Sequence, residues 1–128
     1  MPPREWRLYI DYILASIARI EEYTRDFTFE EFQTDSMRVE AVLHNFMIIG
    51  EAASRISPDL QRRLSSVPWP QMRAMRNIIV HGYFAVELEV VWDTARNDLP
   101  TLVPPLRAAL AEEGDTIGSE TEREAPGS

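Results

Sequence analysis

Apolar residues in this chain recur three and four positions apart, run after run, and that rhythm leaves little room for anything but helices. Trp6, Ile10, Ile13, Ile17 and Ile20 lie at spacings of 4, 3, 4 and 3. All five therefore share one side of an amphipathic helix expected from about Glu5 to Thr24. A second stripe, Val39, Val42, Phe46, Ile49, Ala53 and Ile56, predicts another helix. Asp35 or Ser36 caps its start and Ser57-Pro58 ends it. Between the two, Thr28 and Glu31 have capping-box spacing over a short turn that carries Phe29 and Phe32. Ser57 caps a further short helix, with Pro58 at its first position, ending near Leu64. Pro68-Trp69-Pro70 forces an extended connection, after which a helix runs from Pro70 to about His81 with Gly82 as its cap. The last stripe reads Leu88, Val91, Ala95, Leu99, Leu102 and Leu106, with a kink expected at Pro100 and an interruption at Pro104-Pro105. No segment alternates with period 2 for long enough to argue a strand. The expected architecture is all-α: one up-and-down bundle of four to five helices over residues 1–111, followed by a disordered acidic tail over residues 112–128.

Composition narrows the chemistry. A chain of 128 residues with 45% hydrophobic content fits a single domain with a real core. It has no cysteine, which excludes disulfides, thiolate metal sites and cysteine nucleophiles. All 13 of its basic residues are arginine, so lysine Schiff-base chemistry and lysine bases are excluded too. The net charge of −8 argues at first against a nucleic-acid partner. Yet Glu112–Ser128 holds six acids and one base, a net −5, which leaves −3 on residues 1–111. The acid pairs Glu21-Glu22 and Glu30-Glu31, and Glu87 with Glu89, lack the histidines a metal site favours, so neither metal nor cofactor is expected. Trp6, Trp69 and Trp92 are spaced as core anchors rather than as a base-stacking platform. No phosphate-cradling Gly-rich loop is present. No run reaches the length of a membrane span and the start lacks a signal-peptide core, so a cytoplasmic location is expected.

The Pro70–His81 helix is the informative one. At about 100° per residue, Arg73, Arg76, Asn77, Val80 and His81 fall within an arc about 140° wide, opposite Met72, Met75, Ile78 and Ile79. Two readings fit this spacing: a solvated face with His81 complementing the helix dipole, or a set of side chains that hold and move protons on a phosphate ester.

The motif itself carries a resemblance. Arg76-Asn77-Ile78-Ile79-Val80-His81-Gly82-Tyr83 is similar to the Arg-x-x-x-x-His-x-Tyr signature of HepT-like toxins in the HEPN superfamily. Ile48-Ile49-Gly50-Glu51-Ala52-Ala53 resembles that family's second-helix segment and Val67-Pro68-Trp69 its pre-motif turn. Val91-Trp92-Asp93-Thr94 with Asn97-Asp98-Leu99-Pro100 resembles its last helix. The likeness spans about residues 5–103; Pro104-Pro105 and the acidic tail depart from it. It implies the toxin of a toxin–antitoxin pair, a metal-independent endoribonuclease acting as a homodimer. Its expected partner is a MntA-like nucleotidyltransferase antitoxin that transfers AMP to the motif tyrosine. Carried onto this chain, Arg76 and His81 are catalytic, Asn77 is the supporting polar residue and Tyr83 is the modified residue; Arg73 is a substrate-binding candidate.

The chemistry agrees with those assignments. Metal-free RNA cleavage must deprotonate a 2′-hydroxyl, stabilise a charged phosphorane and protonate the leaving oxygen. His81 is the natural proton carrier near neutral pH. Arg76 offers a bidentate fork for phosphate oxygens. Asn77 can donate to a non-bridging oxygen or orient His81. One imidazole cannot be base and acid at once, so the two arcs are expected to face each other across a two-fold axis. AMP on Tyr83 would place negative charge at the mouth of the arc and repel an RNA backbone. A second polar line, His44, Glu51 and Arg55, lies away from its helix's apolar stripe. There Glu51 and Arg55 are expected as an ordinary i,i+4 ion pair, with Glu51 free to orient Arg76 only if that line faces the motif. The alternative function is a non-catalytic helical dimer module that binds a nucleotidyltransferase or a nucleotide.

Overall fold

The computed structural model describes the backbone of residues 5–83 and 87–124, with side chains described for residues 5–79 and 87–111. The predicted side-chain roles of His81 and Tyr83, and those of the tail, lie outside the described residues. Helices α1 (Glu5–Thr24), α2 (Phe29–Gln33), α3 (Ser36–Ser54), α4 (Pro58–Arg63), α5 (Trp69–Arg73), α6 (Arg76–Tyr83), α7 (Leu88–Asp93) and α8 (Leu99–Glu124) follow in chain order. No strand occurs among the described residues. The architecture is the all-α bundle that the stripes predict.

The stripes point where the periodicity says they should. Trp6, Ile10, Ile13, Ile17 and Ile20 on α1 are buried, as are Val39, Val42, Phe46, Ile49 and Ala53 on α3. These two helices form the central packed pair, and α8 closes the core with Leu99, Leu102, Leu106 and Ala109. Arg7 Nη1 donates to the Leu110 carbonyl at 3.1 Å and ties the start of α1 to α8.

The connections are held by specific polar contacts. Thr28 and Glu31 complete both halves of a capping box on α2, which seats Phe32 against Trp92 with ring centroids 5.2 Å apart. Asp35 caps α3 by accepting from the Arg38 amide, and the Arg38 guanidinium lies over the Phe27 ring at 3.8 Å. Ser57 caps α4, and Trp69 anchors the turn after it by donating its indole N–H to the Leu64 carbonyl at 3.0 Å.

Three expectations are corrected. The segment from Pro70 to His81 is two helices rather than one, parted at Ala74–Met75 by tight i→i−3 bonds: Met75 N to Met72 O, Asn77 N to Ala74 O and Ile78 N to Met75 O. Gly82 is not a cap, because α6 continues through it to Tyr83. Pro104-Pro105 do not interrupt the last helix. A π-helical turn at Thr94–Asp98, closed by Leu99 N donating to Thr94 O, joins α7 to α8. That wider turn relieves the clash a proline ring at position 100 makes with the carbonyl four residues back. Pro104 is exposed, and so is Thr101, whose carbonyl Pro105 leaves without a partner; solvent can satisfy it there. At the backbone level α8 runs to Glu124.

Candidate active site

The break at Ala74–Met75 sets where each arginine points. Arg73 is on α5, and its Nη1 donates to Gln61 Oε1 on α4 at 2.6 Å. Arg76 opens α6 and turns to α3, where its Nε lies 3.1 Å from Glu51 Oε1. The structure thus separates Arg73 from the arc in which the spacing places it, and joins Arg76 to Glu51. The expected i,i+4 pair between Glu51 and Arg55 does not form, because the carboxylate is drawn across the helix interface instead.

Gly50 makes that interface possible. A Cβ built on Gly50 would stand 2.1 Å from Arg76 Cγ and 3.1 Å from the Arg76 backbone nitrogen. Without one, the aliphatic stem of Arg76 crosses directly over α3, and its guanidinium reaches the carboxylate one residue further on. Glycine inside a helix costs about 1 kcal/mol relative to alanine. An exposed ion pair returns about 0–1 kcal/mol. The ion pair alone therefore does not offset the glycine; the close crossing of the Arg76 stem, which a Cβ would block, is what requires it.

The pair is open to solvent: the side chains of Arg76 and Glu51 are 53% and 47% exposed. Among the described residues neither side chain has another polar partner. Asn77 is exposed beside Arg76. The α6 backbone carries His81 five residues on, about 7.5 Å along the axis and about 140° around it. On the other side, Glu51 borders an open groove of about 320 Å³ between α1 and α3, lined also by Tyr9, Tyr12, Met47, Ile48 and Arg55. His44 is exposed, seven residues before Glu51 on the same helix. Spacing within one helix cannot reveal a contact between two, yet Gly50 immediately before a polar residue was a visible signal of close helix approach.

Fold and site together define a small helical protein whose polar centre is an arginine–carboxylate pair at the start of a short helix. The family model described as Ribonuclease HepT-like matches residues 13–109, and the chain belongs to that family. It is 38% identical over 99 residues to "Probable ribonuclease HepT" of Thermococcus cleftensis, covering 77% of this chain and 90% of that one. A "Putative RNase" of Methanocaldococcus jannaschii is 30% identical over 120 residues, 93% of this chain and 99% of its own length. Another protein of that organism, named as a gamma-glutamylcyclotransferase and putative RNase, is 34% identical over 109 residues. That alignment takes in 85% of this chain but only 49% of the longer relative. No solved structure matches the chain. Among the described residues, no helix is long and apolar enough to cross a membrane.

Proposed function

We propose that this protein is an endoribonuclease that cleaves RNA without a metal ion, with Arg76 and His81 as catalytic residues and Asn77 in support. The observation that carries the reading is Arg76, held by Glu51 across Gly50 and half exposed at the head of the helix that bears His81. A guanidinium fixed through Nε presents its remaining N–H groups as a rigid donor set for a phosphate. The relatives' names point to the same substrate class.

The protein acts in the cytoplasm as the toxin of a two-component pair and as a homodimer with its site at or near the two-fold cleft. Its antitoxin is a MntA-like nucleotidyltransferase that silences it by transferring AMP to Tyr83. Tyr83 ends α6, two residues past His81, so an added nucleotide there brings negative charge to where the RNA backbone must approach. Half-exposed Tyr12 and Met47 beside Glu51 give a second copy an apolar surface close to the site.

Incubating the purified chain with RNA in excess chelator tests the activity. Wild type should cut, and Arg76→Ala and His81→Ala should each lose about 100-fold or more of the rate. Binding of nucleotide or nucleotidyltransferase without cutting would favour the non-catalytic module instead. Mass spectrometry after incubation with the cognate nucleotidyltransferase and ATP tests the modification; an unmodified Tyr83 would refute it.

A further inference from the structure

The stretch from Leu60 to Val86 holds four arginines and no aspartate or glutamate, a charge of +4 in a chain whose net is −8. That leaves −12 on the rest, so this stretch is where an anion meets net attraction. We propose that Arg62, Arg63 and Arg73, on α4 and α5, form a track for the RNA backbone that takes phosphates to one side of the scissile one at Arg76. The track rests on the ribonuclease reading above and adds the surface that holds the rest of the substrate.

One side chain sets these arginines in order. Gln61 on α4 donates its Nε2 to the Ile56 carbonyl at 2.9 Å, just past the end of α3, and its Oε1 accepts from Arg73 Nη1 on α5 at 2.6 Å. A single half-buried amide thus fixes α4, α5 and the end of α3 together. Arg76 crosses α3 at Gly50, six residues before Ile56, or about 9 Å of helix rise. Arg62 and Arg63 follow Gln61 on α4, and both are exposed. Moving off the end of α3, the order is therefore Arg76, then Arg73, then the α4 pair.

The charges differ in what cancels them. Arg76 meets Glu51, and Arg62 meets Asp59. Arg73 is held by a neutral amide, which fixes the guanidinium without compensating its charge, and among the described residues no carboxylate pairs with it. It is also only partly exposed. A cation withdrawn from water and tied in place by a neutral group attracts an anion more strongly than a fully solvated one. The Arg62–Asp59 pair is exposed on both sides, so it is worth little and yields readily to a phosphate. All three arginines lie in the last turn of α4 or α5, where they complement helix dipoles. In helices of six and five residues that role is small, and it predicts an effect on stability rather than on RNA. An RNA backbone is the occupant that fits, because the row begins at Arg76 and a strand presents phosphates in a row.

Anisotropy of a labelled oligoribonucleotide, titrated across salt in the non-cutting Arg76→Ala chain, tests the track. One derivative adds Arg62→Gln, Arg63→Gln and Arg73→Gln. Its control adds Arg19→Gln, Arg25→Gln and Arg107→Gln, which remove the same charge from exposed positions elsewhere. Three lost phosphate contacts should reduce the slope of log affinity against log salt by about 2 and weaken binding tenfold or more at low salt, while the control keeps the parent slope. In the cutting chain, the track substitutions should raise KM about tenfold with little change in kcat. Melting curves accompany each variant; Arg62→Gln with Arg63→Gln alone leaves the Gln61–Arg73 tie in place and should still lower the slope by about 1. An equal fall in the track and control variants would overturn the track in favour of net charge. An unchanged slope would overturn it as well, and an acidic protein would then be the better match for the surface. Both results leave the ribonuclease reading intact as long as wild type cuts; a wild-type chain that neither binds nor cuts RNA would remove both.

Discussion

Gly50 is the position where one missing carbon decides where Arg76 can lie. Gly50→Ala would seat a methyl group 2.1 Å from Arg76 Cγ. The helix gains about 1 kcal/mol of propensity from that change, while overpacking typically costs about 1–3 kcal/mol, so a small net loss is expected in urea denaturation. The larger effect falls on function, because the guanidinium must leave Glu51: RNA cleavage should drop about tenfold or more, and wild-type cutting by Gly50→Ala would show that the crossing is not needed. Arg73→Gln supplies the matching comparison. Its guanidinium is spent on Gln61 at 2.6 Å, away from Glu51, so cleavage should change far less than in Arg76→Gln. At this scale the sequence pointed to candidate residues but not to their partners. The i,i+4 rule assigns Glu51 to Arg55 because both lie on one helix. The partner that wins, Arg76, comes from packing between helices, and helical periodicity says nothing about that.

Among the elements, those with chemical start and stop signals were legible and the one without them was not. Thr28, Asp35 and Ser57 each accept the backbone bond their spacing predicts, and α1 and α3 begin where the apolar stripes begin. The division of α5 from α6 has no such mark. Ala74 and Met75 are good helix formers, with neither glycine nor proline between them. Buried Met72 and Met75 sit three residues apart, and tightening the turn between them lets both reach the core. The same turn sends Arg73 and Arg76 to different neighbours. Proline misled in the opposite direction at positions 104 and 105, where the local rule predicts a stop and the π turn upstream with solvent outside allows continuation. The capping box gives an element-scale prediction: Thr28→Ala should cost about 0.5–2 kcal/mol in chemical denaturation, because α2 loses its cap and with it the seat of Phe32 on Trp92. No change in the denaturation midpoint would mean that α2 is held by its aromatic contacts alone.

For the whole molecule, charge is what a ribonuclease reading must reconcile with a net −8, of which −5 falls on residues 112–128. The core contacts described on α8 end with Leu106, Ala109 and Leu110, and the Arg7 bond to Leu110 closes that end of the bundle. Glu124 follows fourteen residues later on the same helix, about 21 Å along its axis. The screening length is about 8 Å at about 0.15 M salt and about 30 Å at about 0.01 M, so a repulsion between the segment and RNA bound elsewhere on the molecule acts chiefly at low salt. Truncation after Ala111 should therefore leave the melting temperature unchanged and raise RNA affinity severalfold at low salt. The gain should vanish near physiological ionic strength, as a long-range field requires. Fluorescence anisotropy with a labelled oligoribonucleotide and the Arg76→Ala variant measures binding without cutting. A gain that persists at high salt would mean that the segment covers the RNA site by direct contact, and its acidity would then act as a local competitor for Arg76 rather than as a distant repulsion.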